Sequence, residues 1–138
     1  MVNSFIMISR KLLNALLLIC FSFCYLEWPG NNSSFFYELE LTMIRKEGDL
    51  LNTLTHPLIL TGIVSQLILL FCIVYPKPLN KLNGIAILAL SLLVLFILLV
   101  GLLAMNFKII ASVIPFLVLA SYYFIKIKPF RKTVIIGE

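Results

Sequence analysis

The stretch from Leu82 to Leu103 carries no charged residue and is dominated by Leu, Ile, Val, Phe and Ala. It exceeds the ~20 residues that an α-helix needs to cross a bilayer. A chain of 138 residues has little room to bury such a segment inside a soluble core. Three further apolar runs repeat the problem: Leu12 to Leu26, Leu58 to Tyr75 and Ile109 to Ile125. Overall 62% of the residues are hydrophobic, 12% are charged and the mean hydropathy is +1.09. Soluble domains sit near 25% charged and about half apolar. The sequence therefore predicts an all-α fold, a single transmembrane domain over 1–138 built as an integral membrane four-helix bundle. Its spans lie at about 12–26, 58–75, 82–103 and 109–125, and lipid is the solvent for the excess apolar surface.

End signals refine these spans. Arg10 and Lys11 precede the first, and no A-x-A cleavage pattern follows it, so it reads as a retained signal-anchor helix. Thr55 is a candidate N-cap for the second, and Pro57 suits a first helical turn, whose amides have no intrahelical partner. Pro76 and Pro78 close that span. Pro115 lies inside the fourth, where it removes one backbone bond and predicts a kink. Only Met105 to Lys108 separates the third and fourth spans, so they form a tight antiparallel hairpin.

Charge sets the direction. Eight basic residues (Arg10, Lys11, Lys77, Lys81, Lys126, Lys128, Arg131, Lys132) share one side, against Arg45, Lys46 and Lys108 on the other. The positive-inside rule makes the first side cytoplasmic, giving N-in/C-in. Five of the six acids, all but Glu138, then fall on the outer side. The net charge of +5 orients spans and does not form a nucleic-acid stripe. Tyr25, Trp28, Tyr75, Tyr122 and Tyr123 lie near span ends, as an aromatic belt does.

The outer loop, 27–55, opens with a turn at Pro29, Gly30, Asn31 and Asn32. Residues Tyr37 to Met43 alternate in the manner of a strand, but a lone strand has no partner for its backbone. Helix end signals are stronger. Ser34 can cap, Glu38 and Glu40 lie near the start, Arg45 and Lys46 in the last turn, and Gly48 can close the end. A short interfacial helix over 35–47 is expected between helices 1 and 2, resting on the outer leaflet or on the bundle. Phe35, Phe36, Leu39 and Met43 lie on one side of it, and Glu40 and Glu47 blur that apolar face.

Chemistry is sparse. Cys20, Cys24 and Cys72 all fall in apolar spans, form no C-x-x-C and read as packing residues. Gln66 lies close to the midpoint of span two, with Ser65 beside it. With Asn14, Thr61, Ser65, Ser91 and Ser112 it suits hydrogen bonding between helices. His56 is the single histidine. Its sharper reading groups it with Glu27, Glu38 or Glu40 as an acid–base or metal constellation at the outer face. The blander reading is an interfacial residue beside Pro57. Asn31 to Ser34 also holds overlapping N-x-S sequons. No cofactor and no metal signature is found.

Tyr25-Leu26-Glu27-Trp28, followed by Asn32-Ser33-Ser34-Phe35 and Glu38, with His56-Pro57 and Asn106-Phe107-Lys108, resembles small uncharacterised four-span inner-membrane proteins of Bacteroidota. The resemblance covers most of the chain and implies a bacterial cytoplasmic membrane, but carries no activity. Claudin-like proteins have paired loop cysteines that are missing here. Small multidrug transporters need an acid deep in helix 1, and vitamin K epoxide reductase-like enzymes need C-x-x-C. The leading expectation is a non-enzymatic membrane subunit or scaffold, docking membrane-protein partners or further copies of itself. The surface for this is Glu27, Trp28, Asn32, Phe35, Glu38, Glu40 and His56. A small oligomeric transporter or channel using Gln66 is the alternative, and an outer-face enzyme using Glu27, Glu38 and His56 the third.

Overall fold

The computed structural model describes residues 2–28, 32–45, 57–76 and 79–127. Of these residues 85% are helical, in five helices: α1 (Val2–Ser22), α2 (Phe36–Arg45), α3 (Pro57–Val74), α4 (Asn80–Leu103) and α5 (Phe107–Ile127). Two short antiparallel strands, β1 (Tyr25–Trp28) and β2 (Asn32–Phe35), join α1 to α2.

Helices α4 and α5 are each long and apolar enough to cross a membrane. The apolar run of α3, Ile59–Val74, is shorter. The four longer helices each pack on two others: α3 lies against α1 and α4, and α5 against α4 and α1. Leu17, Phe21, Leu69, Leu90, Val94 and Phe116 fill the space between them and are buried. Outward faces are equally apolar, with Leu67, Phe71, Leu92, Phe96, Val118 and Ile125 exposed. Exposed aliphatic and aromatic surface on this scale, with few charges between, is a surface built for a non-aqueous neighbour.

The α4–α5 connection is the tight hairpin that the sequence predicts, and its geometry follows from the helix end. Met105 adopts a left-handed backbone (φ 50°). Its amide donates to the Leu102 carbonyl at 3.1 Å, and the Asn106 amide donates to the Gly101 carbonyl at 2.9 Å. This pair of bonds is the Schellman closure, which satisfies the last carbonyls of α4. Glycine usually takes the left-handed position, so Met105 holds a strained backbone there. Gly101 answers a different need. A Cβ there would lie 2.8 Å from Ile109 Cγ2, so the two helices approach too closely for any side chain.

Two expectations are corrected at the start of the chain. The first span was placed at about 12–26, but α1 ends at Ser22 and Tyr25–Trp28 are extended. The premise that a strand in this segment would lack a partner also falls, although Tyr37 to Met43, the stretch it was applied to, is helical as expected. Tyr25 pairs with Phe35, Leu26 with Ser34, Glu27 with Ser33 and Trp28 with Asn32. The partner lay among residues counted as the end of a helix. Aromatic Tyr25 and Trp28 suit a strand, and Pro29 biases the residue before it towards extended backbone. Residues 29–31, where the turn was placed, lie outside the described residues.

The expected helix over 35–47 is present as Phe36–Arg45; Lys46, Glu47 and Gly48 lie outside the described residues. Its cap differs from the expected one. Glu38 reaches back to accept the Phe35 amide at 3.0 Å, and Ser34 donates its hydroxyl to the same carboxylate oxygen at 2.8 Å. Glu38 is the capping group and Ser34 its support, which is the carboxylate half of a capping box. In α3, Pro57 is the first helical residue, as its missing amide requires. Thr55 and His56 lie outside the described residues. Helix α5 continues through Pro115 as a single element.

Candidate functional site

Among the described residues, the side-chain hydrogen bonds between separate elements gather at two levels. At one end, Glu27 leaves β1 and accepts the Asn106 side-chain amide at 2.8 Å. Asn106 is placed to do this because it sits between α4 and α5. Its Oδ1 also accepts the Lys108 amide at 3.0 Å, which caps the first turn of α5. The Tyr25 amide donates to the Ser112 hydroxyl at 3.0 Å. These bonds tie the strand pair to α5.

Beside them lies an aromatic cluster. Phe35 stacks on Tyr37 with ring centroids 5.9 Å apart and planes 14° apart. Phe23 and Tyr25 meet Phe35 edge-on, at 6.1 and 5.6 Å. Such edge and offset arrangements match the quadrupoles of the rings. Phe36, the next residue, turns the other way. It is buried, its ring lies 4.6 Å from Phe21, and its amide donates to the Cys24 carbonyl at 2.9 Å. This one side chain anchors α2 to α1.

Glu38 and Glu40 then face different surroundings. Glu38 is exposed, and hydrogen bonds from the Ser34 hydroxyl and the Phe35 amide hold its carboxyl below the usual carboxylate range. Glu40 is half-buried and accepts a hydrogen bond from the Gln66 side-chain amide of α3. Burial pushes its carboxyl up, and the Gln66 bond offsets part of that rise. Gln66 thus bonds to α2 instead of to another long helix.

At the second level Asn14 bonds between helices as the sequence suggests, but its partners were missed by sequence reasoning. Asn14 of α1 and Asn83 of α4 exchange side-chain amide hydrogen bonds at 2.8 and 3.0 Å. Asn83 also donates to the Tyr123 hydroxyl at 3.0 Å, and all three residues are buried. One turn further, Arg10 Nη1 donates to Asn80 Oδ1 at 2.6 Å. Tyr123, read from its position as part of an aromatic belt, is in fact a core residue. The available signal was spacing: Arg10 and Asn14 share one face of α1, and Asn80 and Asn83 share one face of α4.

The predicted site residues are therefore distributed. Glu27, Glu38 and Glu40 are each held by a different set of donors. Asn32 is an exposed strand residue and Phe35 a member of the aromatic cluster. Trp28 closes the strand pairing opposite Asn32, and His56 lies outside the described residues. Among the described residues no three His, Cys, Asp or Glu side chains are grouped to hold a metal ion. Comparison with protein-family models, with curated proteins and with solved structures returned no match to the chain.

Proposed function

We propose that the chain is a four-span bundle of the bacterial inner membrane, N-in/C-in, serving as a non-enzymatic subunit or scaffold. In this reading α1, α3, α4 and α5 cross the bilayer, and the 25–45 segment presents a docking surface on the outer side. The observation that supports it most is a division of labour in the 25–45 segment. Its polar groups Glu27, Glu38 and Glu40 are engaged within the protein, whereas the rings of Phe23, Phe35 and Tyr37 form a half-exposed aromatic platform. Aromatic platforms with satisfied polar neighbours are what protein interfaces are enriched in. Native purification in mild detergent is expected to recover a stoichiometric membrane-protein partner or a homo-oligomer, and Phe35→Ser is expected to release it. A chain that remains a monomer alone across several detergents overturns the reading. Cysteines placed at Asn32 and at Lys128 are expected to label from opposite sides of the membrane; labelling from one side overturns the topology.

A second reading, a small oligomeric transporter or channel, draws on the Glu40–Gln66 pair. A half-buried carboxyl against a polar residue of an apolar helix is a common element of ion and proton pathways. Liposome flux tests it: transport is expected to fall with Glu40→Gln and Gln66→Leu. No flux in the wild type, or flux unaffected by both changes, removes it.

A further inference from the structure

Two apolar grooves open on the flanks of the protein, and they differ at their rims. One, of about 300 Å³, lies between α3 and α4 and is lined by Thr61, Ala89, Leu92, Leu93 and Phe96. Its one hydroxyl is already donated to the Pro57 carbonyl, at 2.6 Å. No basic residue lines it. The other, of about 330 Å³, lies between α1 and α5; Leu12, Leu16 and Val118 form part of its wall, and Ser9 and Tyr122 bring hydroxyls to it.

A cation lies one helical turn beyond the lining of the second groove. Lys126 lies four residues beyond Tyr122, so it extends the same face of α5 by one turn. It is exposed. The other nearby cations are differently placed. Arg10 Nη1 is donated to Asn80, and Lys11 falls on the far side of α1 from Ser9, Leu13 and Leu16, away from the groove face. Tyr122, Val118, Leu12 and Leu16 are exposed as well, so the groove opens sideways. An apolar channel that ends in a lysine and two hydroxyls matches a molecule with an acyl chain and an anionic phosphodiester head.

We propose that the α1–α5 groove binds one anionic phospholipid, with an acyl chain along Leu12, Leu16 and Val118 and its phosphate held by Lys126, Ser9 and Tyr122. The inference rests on the membrane reading above, which supplies the lipid and places Lys126 at the cytoplasmic headgroup level. It does not depend on a protein partner. The α3–α4 groove, without a cation, takes acyl chains with no preference for the head.

The test uses the full chain, purified in mild detergent and exposed to equal amounts of phosphatidylglycerol and phosphatidylcholine with matched chains. Retained lipid is counted by native mass spectrometry. The wild type is expected to keep phosphatidylglycerol preferentially. Lys126→Gln, an exposed change, is expected to lower that preference about fivefold, the effect of one lysine near an anionic surface. Leu16→Trp, which fills the groove, is expected to remove the preferred adduct, and Ala89→Leu in the other groove to leave it in place. Equal retention of the two lipids by the wild type, or a preference unchanged in Lys126→Gln, overturns the proposal. So does a lipid-free dimer that Leu16→Trp dissociates, because that result assigns the groove to a second copy. A missing protein partner with the lipid preference intact counts against the scaffold reading alone.

Discussion

The α4–α5 hairpin and the 25–45 segment solve the same problem, reversing the chain beside apolar helices, by different means. In the hairpin the backbone does most of the work. Three residues, Ala104 to Asn106, separate the helices, and the turn amides satisfy the carbonyls of α4. Gly101 lets the two helices close on each other. In the 25–45 segment, side chains from elsewhere hold the structure: Phe21 under Phe36, Asn106 on Glu27, Gln66 on Glu40. One is a self-contained unit of local contacts. The other takes its shape from contacts with elements distant in the sequence, laid over its own strand pair, and segments that rest on few buried contacts open first.

The strongest way to break this contrast is to remove the anchor of α2. Phe36→Ala is expected to cost about 3 kcal/mol at a buried aromatic site. Hydrogen exchange should show the loss in α2 while α4 and α5 keep their protection; equal loss in all three would end the distinction. Gly101→Ala attacks the other region. Its new Cβ meets Ile109, and overpacking of this kind costs about 2 kcal/mol. Thermal unfolding in detergent should register it as a global loss. Met105→Gly is expected to act in the opposite direction, by up to about 1 kcal/mol, because glycine adopts the left-handed position without strain.

The smallest effect concerns pH and separates the two acids of α2. Burial raises the Glu40 carboxyl above its ordinary value of 4.5, so the docked helix holds the proton more tightly than the free one. Docking is therefore strongest at and below that ordinary value and weakens as pH rises through the raised one. Glu38 is lowered from the same 4.5, so its contribution is present above that value and is lost as pH falls through the lowered one. Glu40→Gln should flatten the alkaline limb of an α2 docking curve, followed by tryptophan fluorescence or exchange, and Glu38→Gln the acidic limb. A Glu40→Gln curve that keeps its alkaline limb would show that desolvation of Glu40 is not the cause.

The helices were legible because their signals are local. Pro57 begins α3, the apolar run ends before Pro76, and the short link at Met105 dictates a hairpin. The strand pair was not legible, because Tyr25 and Leu26 are as apolar as the helix they follow, so the turn signal at 29–32 was read without the strands on either side of it. Gln66 stood out as polar in an apolar helix, but its partner did not. Glu40 registered as a blemish on the apolar face of α2, and that blemish was the contact. Tyr123 was misread since a tyrosine near a helix end suits both an aromatic belt and a buried bond to Asn83. Position along the helix could not separate them; the side facing Asn83 could.

The bonds from α1 and β1 carry a consequence for how the chain is made. Asn14 finds its partner 69 residues later, Glu27 finds Asn106 after 79, and Tyr25 finds Ser112 after 87. At about 5–20 residues per second, the first helix waits several seconds on the ribosome's clock before its amide is paired. During that interval water or a transient partner must stand in for Asn83. The fourth helix to emerge is thus the one that pairs the polar side chain of the first.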